Sequence, residues 1–192
     1  MPEASGAVLR HVVRPDFLAE AEEAGGLTPD IARRTAEALG ELAQGTDAVL
    51  LTCSTLGPAA EAVPGPVPVL RVDAALASQA VATGGRVIVL YAVETTREPT
   101  RLLFEAAARG TGAAIEMRLV PGGWDAFRAG DTASYLALVA EAARKAGREG
   151  ATRVVLAQAS MAGAVRLVPG RPPLTSPAAG LQAALAAIRR RT

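Results

Sequence analysis

The chain has 192 residues, half of them hydrophobic and 20% charged, with a formal net charge of +1. That is enough apolar material for one substantial core or two small lobes and argues against disorder; the balanced charge gives no basis for binding nucleic acid or an anionic membrane. A single cysteine, Cys53, and a single histidine, His11, exclude an intramolecular disulfide and any site made of several histidines.

In chain order, the first apolar run, AVLRHVV (7–13), reads as a strand with His11 inside it. TPDIARRTAEALGELAQG then predicts a helix, with Thr28 as N-cap, Pro29 at the first helical position and Gly45 as the stop. AVLLTC (48–53) and VPVLRV (67–72) are two more strands, and DAALASQAVATGG (73–85) is a helix that Asp73 is placed to cap. RVIVLYAV (86–93), AIEMRL (114–119) and RVVLAQ (153–158) are strands, with helices over 96–110 and 131–147 between them. A short strand at 172–176 leads into a closing helix whose end carries Arg189, Arg190 and Arg191, cations suited to a helix C-terminus. Near-continuous Val and Leu without clean alternation suits strands covered on both faces. Strands alternating with helices predict an α/β fold with parallel sheets and right-handed crossovers.

Residues 47–76 align without gaps on 152–181, with nine identities in thirty positions, among them the VPG at 63–65 and 168–170. The same offset sets the strand at 7–13 against the one at 113–119 and asks for a partner to 86–93 that would lie before residue 1. The expected architecture is therefore two pseudo-symmetric flavodoxin-like lobes, the first with three strands and lacking its first strand, the second with four. The lobes are expected at 1–84 and 85–177, with a closing helix at 178–192 packing back on the first lobe. Either the chain start is misassigned or truncated, or the first lobe copes without one strand; exposed edges and poor stability would follow. The offset also pairs Cys53 with Gln158 and Thr55 with Ser160. Strand ends facing each other across a pseudo-two-fold axis would bring these residues to one cleft.

The segments LLTCSTLG (50–57), PVLRVDAAL (68–76), VIVLYAVETTREP (87–99), VVLAQASMA (154–162) and PPLTSPAAG (172–180) resemble the aspartate/glutamate/hydantoin racemase superfamily, which includes maleate isomerases and arylmalonate decarboxylases. The resemblance implies a cofactor-independent and metal-free enzyme with its site between two lobes, and a homodimer. It implies proton transfer next to the carboxylate of a small acid, by two cysteines on opposite faces of the reacting carbon. The first of these maps onto Cys53; the second maps onto Gln158, so two-base racemisation is not expected here. A single-cysteine decarboxylase, a cis-trans isomerase of a small diacid and a non-catalytic small-acid binding protein are the alternatives.

Local chemistry leaves Cys53 open as an acid–base group or as a small buried hydrophobe. Thr52, Ser54 and Thr55 sit where hydroxyls and backbone donors would surround it. Gln158 can donate an amide hydrogen bond to a carboxylate or an enediolate, or be only a polar strand end. Thr95 and Thr96, and Thr175 and Ser176 in the mirrored loop, are candidates for holding a carboxylate, with plain helix capping as the alternative. Trp124 and Met161 read as packing. Metal-ligand spacing and glycine-rich phosphate loops are missing. A lone cysteine and no signal-like N-terminal segment make the cytoplasm the expected compartment. No apolar run reaches the roughly 18 residues that a membrane span requires.

Overall fold

A computed structural model describes residues 6–191 of the chain. In order its elements are α1 (Pro15–Glu23), α2 (Pro29–Ala43), β1 (Val49–Leu51), β2 (Val69–Arg71), α3 (Val72–Val81), β3 (Gly85–Tyr91), α4 (Arg97–Ala108), β4 (Ala113–Leu119), α5 (Gly123–Arg128), α6 (Thr132–Arg148), β5 (Arg153–Leu156), β6 (Leu174–Thr175) and α7 (Ser176–Arg189). Stretches of 3-10 helix at Gly57–Ala62 and Ala159–Leu167 follow β1 and β5, and a single turn at Glu94–Thr96 follows β3.

The fold is α/β with two wholly parallel sheets, one of order β1-β2 and one of order β4-β3-β5-β6. In the larger sheet the strand that comes first in the chain lies inside, the doubly wound arrangement. Its alternate residues feed two cores. Ile88 and Leu90 pack with Leu156, Met161, Tyr135 and Val139 under α6, whereas Val87, Val89 and Tyr91 pack with Phe104, Leu76 and Ala77 under α4 and α3. Every one of these side chains is buried. The smaller sheet has only two modest clusters, one around Phe17, Ala21, Ile31 and Leu56 and one around Leu39, Val49 and Ala60.

The internal repeat appears as structure. Strand, 3-10 helix, strand and helix occur in the same order from β1 to α3 and from β5 to α7, although the strand pairing slips by one residue. Val49 pairs with Val69 in the first lobe, while Val155, and not Val154, pairs with Leu174 in the second. The two halves are locked together by helices. α3 and α7 lie side by side, and α7 also packs on β1 and β2. The contact is close enough that a Cβ at Gly180 would fall 2.5 Å from Val72 Cγ1.

Residues 7–13 form no strand. The segment is irregular and exposed, with Val8 97% and Val13 79% accessible. Its counterpart β4 is a strand because β3 pairs with it; among the described residues the first lobe holds no counterpart of β3, so the backbone of 7–13 has no ladder to join. The first sheet therefore has two strands where three were expected. His11 is exposed in this segment and does not sit in a strand.

Asp73 does not cap α3 either. It lies in the first turn, and its carboxylate accepts from Arg71 Nε and Nη2, both at 3.0 Å. Thr28 does cap α2, its Oγ1 accepting from the Ile31 amide at 3.3 Å. No helix among the described residues is long and apolar enough to cross a membrane.

Candidate active site

β1 and β5 end at corresponding places in the two sheets, and the residues just beyond them line one cavity of about 190 Å³. Thr52, Cys53, Ser54 and Thr55 enter from the first lobe, and Gln158, Ala159 and Ser160 from the second. Val93 and Thr96 come from the end of β3, Leu18 from α1, and Trp124 and Phe127 from α5.

Cys53 is half-buried and packs against the cluster of Phe17, Ile31 and Leu56. Burial pushes its thiol above the ordinary value, and the nearby Asp73 carboxylate adds to this. The backbone amides of Leu56 and Thr55 and the Thr55 hydroxyl pull the other way without reversing it. At neutral pH the group is therefore a protonated thiol. Asp73 itself is held by Arg71; both side chains are nearly inaccessible, at 3% and 9%. Arg71 also reaches Glu61 at 3.0 Å and lies so close beneath Gly57 that a Cβ there would be 2.7 Å from Nη2.

Gln158 has a fixed orientation. Its Oε1 accepts from the backbone amides of Ala92 at 2.6 Å and Val93 at 3.3 Å. The carbonyl end is thus occupied by the loop after β3, and the amide end is left to donate. Ser160 Oγ and the Tyr135 hydroxyl share a hydrogen bond of 2.9 Å, and Tyr135 is buried in the core beneath.

Of the residues picked out from sequence, Cys53, Gln158, Thr52, Ser54, Thr55, Thr96 and Ser160 meet at this cavity. Thr95 stands behind it, its Oγ1 3.2 Å from Thr55 Oγ1, joining the loops of the two lobes. Thr96 donates its hydroxyl proton to the Val93 carbonyl at 2.6 Å. Thr175 and Ser176 do not line the cavity; they form the junction of β6 and α7, where Ser176 is fully buried.

Trp124, read from sequence as packing, lines the cavity instead. It stacks on Phe127 with centroids 5.2 Å apart and planes 14° apart. α5 and α1, which supply Trp124, Phe127 and Leu18, were not anticipated. Their signals were present: Pro15 and Asp16 open α1 ahead of Phe17 and Ala21 at helical spacing, and the three-residue spacing of Trp124 and Phe127 puts both rings on one face of a helix.

Two parallel α/β lobes set a cysteine and an amide around a cavity at their strand ends, the place where open α/β sheets commonly bind small molecules. The chain belongs to the Asp/Glu/hydantoin racemase family, whose model matches residues 3–184. Its fold is similar to that of glutamate racemase isoform RacE1 from Bacillus anthracis, with a TM-score of 0.63 and 16% identity over 87% of this chain and 68% of that one. It is similar to glutamate racemase from Thermus thermophilus, solved in complex with β-chloro-D-alanine, at TM-score 0.57 and 22% identity over 87% and 66%. It is also similar to arylmalonate decarboxylase, at TM-score 0.52 and 16% identity over 85% and 78%. The chain thus spans about two thirds of the length of the two glutamate racemases. No curated protein sequence matches it.

Proposed function

We propose that the protein is a cofactor-independent enzyme that protonates, on one face, the carbon next to the carboxylate of a small acid, with Cys53 as the proton donor. The observation that carries this reading is the pairing within one cavity of the Cys53 thiol and a Gln158 amide whose oxygen is already engaged. A thiol held protonated by burial can deliver its proton to a developing carbanion. Gln158, donating from the second lobe, can stabilise the enediolate oxygen but can supply no second acid–base group. The Thr52, Ser54 and Ser160 hydroxyls and the amides beyond β1 complete a set of neutral donors for the carboxylate. This arrangement favours decarboxylation, in which the Cys53 proton takes the place of the departing carbon dioxide, or isomerisation through a thiol adduct that forms and breaks again, over racemisation, which needs an acid–base group on each face.

The test is proton NMR in deuterium oxide with both enantiomers of aspartate and glutamate, hydantoins, maleate and substituted malonates, for the wild type and Cys53→Ala. Exchange, isomerisation or carbon dioxide loss that disappears in the variant supports the reading. Turnover that survives in Cys53→Ala refutes it. Ligand binding with no turnover in the wild type would identify a binding protein.

A further inference from the structure

β5 has a concavity at each end. The cavity around Cys53 lies beyond its C-terminal end; a larger groove, of about 380 Å³, lies at its start, where Arg153 and Val154 meet the last turns of α6 and the loop leading to β6. At about 3.3 Å per extended residue, Arg153 and Gln158 are roughly 16 Å apart along the chain. The groove and the cavity share no lining residue, so the groove stands or falls independently of the reading of Cys53.

Arg144, Arg148, Arg153 and Arg171 line the groove, and none of its described lining residues is acidic. A concavity lined by one sign of charge focuses the field and attracts counter-charge. Arg144 and Arg148 sit near the end of α6, where cations suit the helix dipole, and both pair with Glu141, which lies outside the groove. Arg144 Nη1 also donates to the Leu167 carbonyl at 2.8 Å, which fixes its position. Arg153 and Arg171 have no such account: among the described residues neither side chain has an ion pair or a hydrogen bond. The architecture does not require them. In the aligned segment of the first lobe Ala48 and Pro66 hold their positions, and that lobe forms the same strand, 3-10 helix and strand. Arg171 is displayed by a stiff turn, between Gly170 at φ 86° and the fixed backbones of Pro172 and Pro173. The rest of the groove is largely apolar, with Val154, Val168, Pro173 and Leu174 in its wall. Its volume lies within the range of about 300–1,000 Å³ usual for small-ligand sites.

We infer that this groove is a second ligand site, for a small organic phosphate. The planar forks of Arg153 and Arg171 match a phosphoryl dianion, Arg144 and Arg148 add to the attracting field, and the apolar wall takes the body of the molecule. The experiment is calorimetric titration of the full chain at fixed low salt with phenyl phosphate, inorganic phosphate and benzoate. It compares the wild type, the double variant Arg153→Gln/Arg171→Gln, Phe127→Ala in the cavity around Cys53, and Arg109→Gln, which removes a charge at the end of α4. The expected result is saturable binding of phenyl phosphate at least about tenfold tighter than inorganic phosphate, which lacks the body, or benzoate, which carries one charge. The double variant weakens it at least about tenfold, whereas Phe127→Ala and Arg109→Gln leave it unchanged. No saturable binding, or inorganic phosphate binding as tightly as phenyl phosphate, would overturn the inference. So would binding that survives in the double variant and is lost in Phe127→Ala, which would put the ligand in the other cavity, or an equal loss in Arg109→Gln, which would make the effect one of overall charge.

Discussion

The two lobes contain the same succession of strand, 3-10 helix, strand and helix, yet they are held together differently. In the second lobe β3 is paired on both sides and buried from Val87 to Tyr91, with a core on each face. In the first lobe β1 has three residues and one strand neighbour, and its clusters are small. A repeat therefore conserves the placement of site residues more readily than it conserves the means of stabilising them. The first lobe compensates by borrowing: α3 buries Leu76 and Ala77 on the second lobe's sheet, and α7, which follows the last strand of the second lobe, covers β1 and β2.

The largest expected effect comes from the second lobe's core. Phe104→Ala removes a fully buried ring and should cost about 3–5 kcal/mol, lowering the denaturant midpoint of the whole chain. Ile31→Ala in the first lobe's cluster should cost about 2–5 kcal/mol. Its signature differs: hydrogen exchange should show faster amides in α1, α2 and β1 while β3 stays protected. Uniform loss of protection across both sheets would show that the lobes form one cooperative unit and would dissolve the distinction. Gly180→Ala, which presses on Val72 at the α3–α7 contact, should cost about 1–3 kcal/mol and loosen the first lobe's amides more than the second's.

pH sharpens the comparison from the side of the site. Burial raises the Cys53 thiol, so a reaction that needs the thiol should proceed at neutral pH and fall on the alkaline side, with a midpoint above that of a free cysteine. A rate that instead climbs with alkalinity would make Cys53 a base. The same shift links to stability. The folded state holds this proton more tightly than the unfolded chain does, so the contribution is full at neutral pH. It is lost as pH rises from the unfolded thiol's value through the folded one. The smallest effect is expected at the exposed segment: Val8→Asp should change stability by no more than about 0.5 kcal/mol in a denaturant titration.

Most of the fold was legible in the sequence because buried parallel strands announce themselves as apolar runs and the repeat supplied the order of elements. The failure at 7–13 is instructive. AVLRHVV has strand composition, but a strand is a relation between two segments, and its partner is not among the described residues. Cys53 and Gln158 could be paired through the repeat alone. Trp124 and Phe127 could not: the same offset of 105 residues sets α5 on α1, but the two rings fall opposite Ala19 and Glu22, so the helices correspond in place and not in sequence. Asp73 was assigned to capping on position, whereas Arg71 two residues earlier was the stronger partner.

The packing of α7 against α3 and the first sheet has a consequence for how the chain is made. A ribosome delivers residues 1–84 long before it delivers 176–189, so β1 and β2 emerge without their cover, and Leu76 emerges without the sheet that buries it. Domains commonly fold in order of synthesis, N-terminal part first. Here the second lobe should consolidate first and the earlier half dock onto it afterwards, leaving apolar surface of the nascent chain open through most of translation. Cys53 and Gln158, synthesised about a hundred residues apart, would come together only at the end of that sequence.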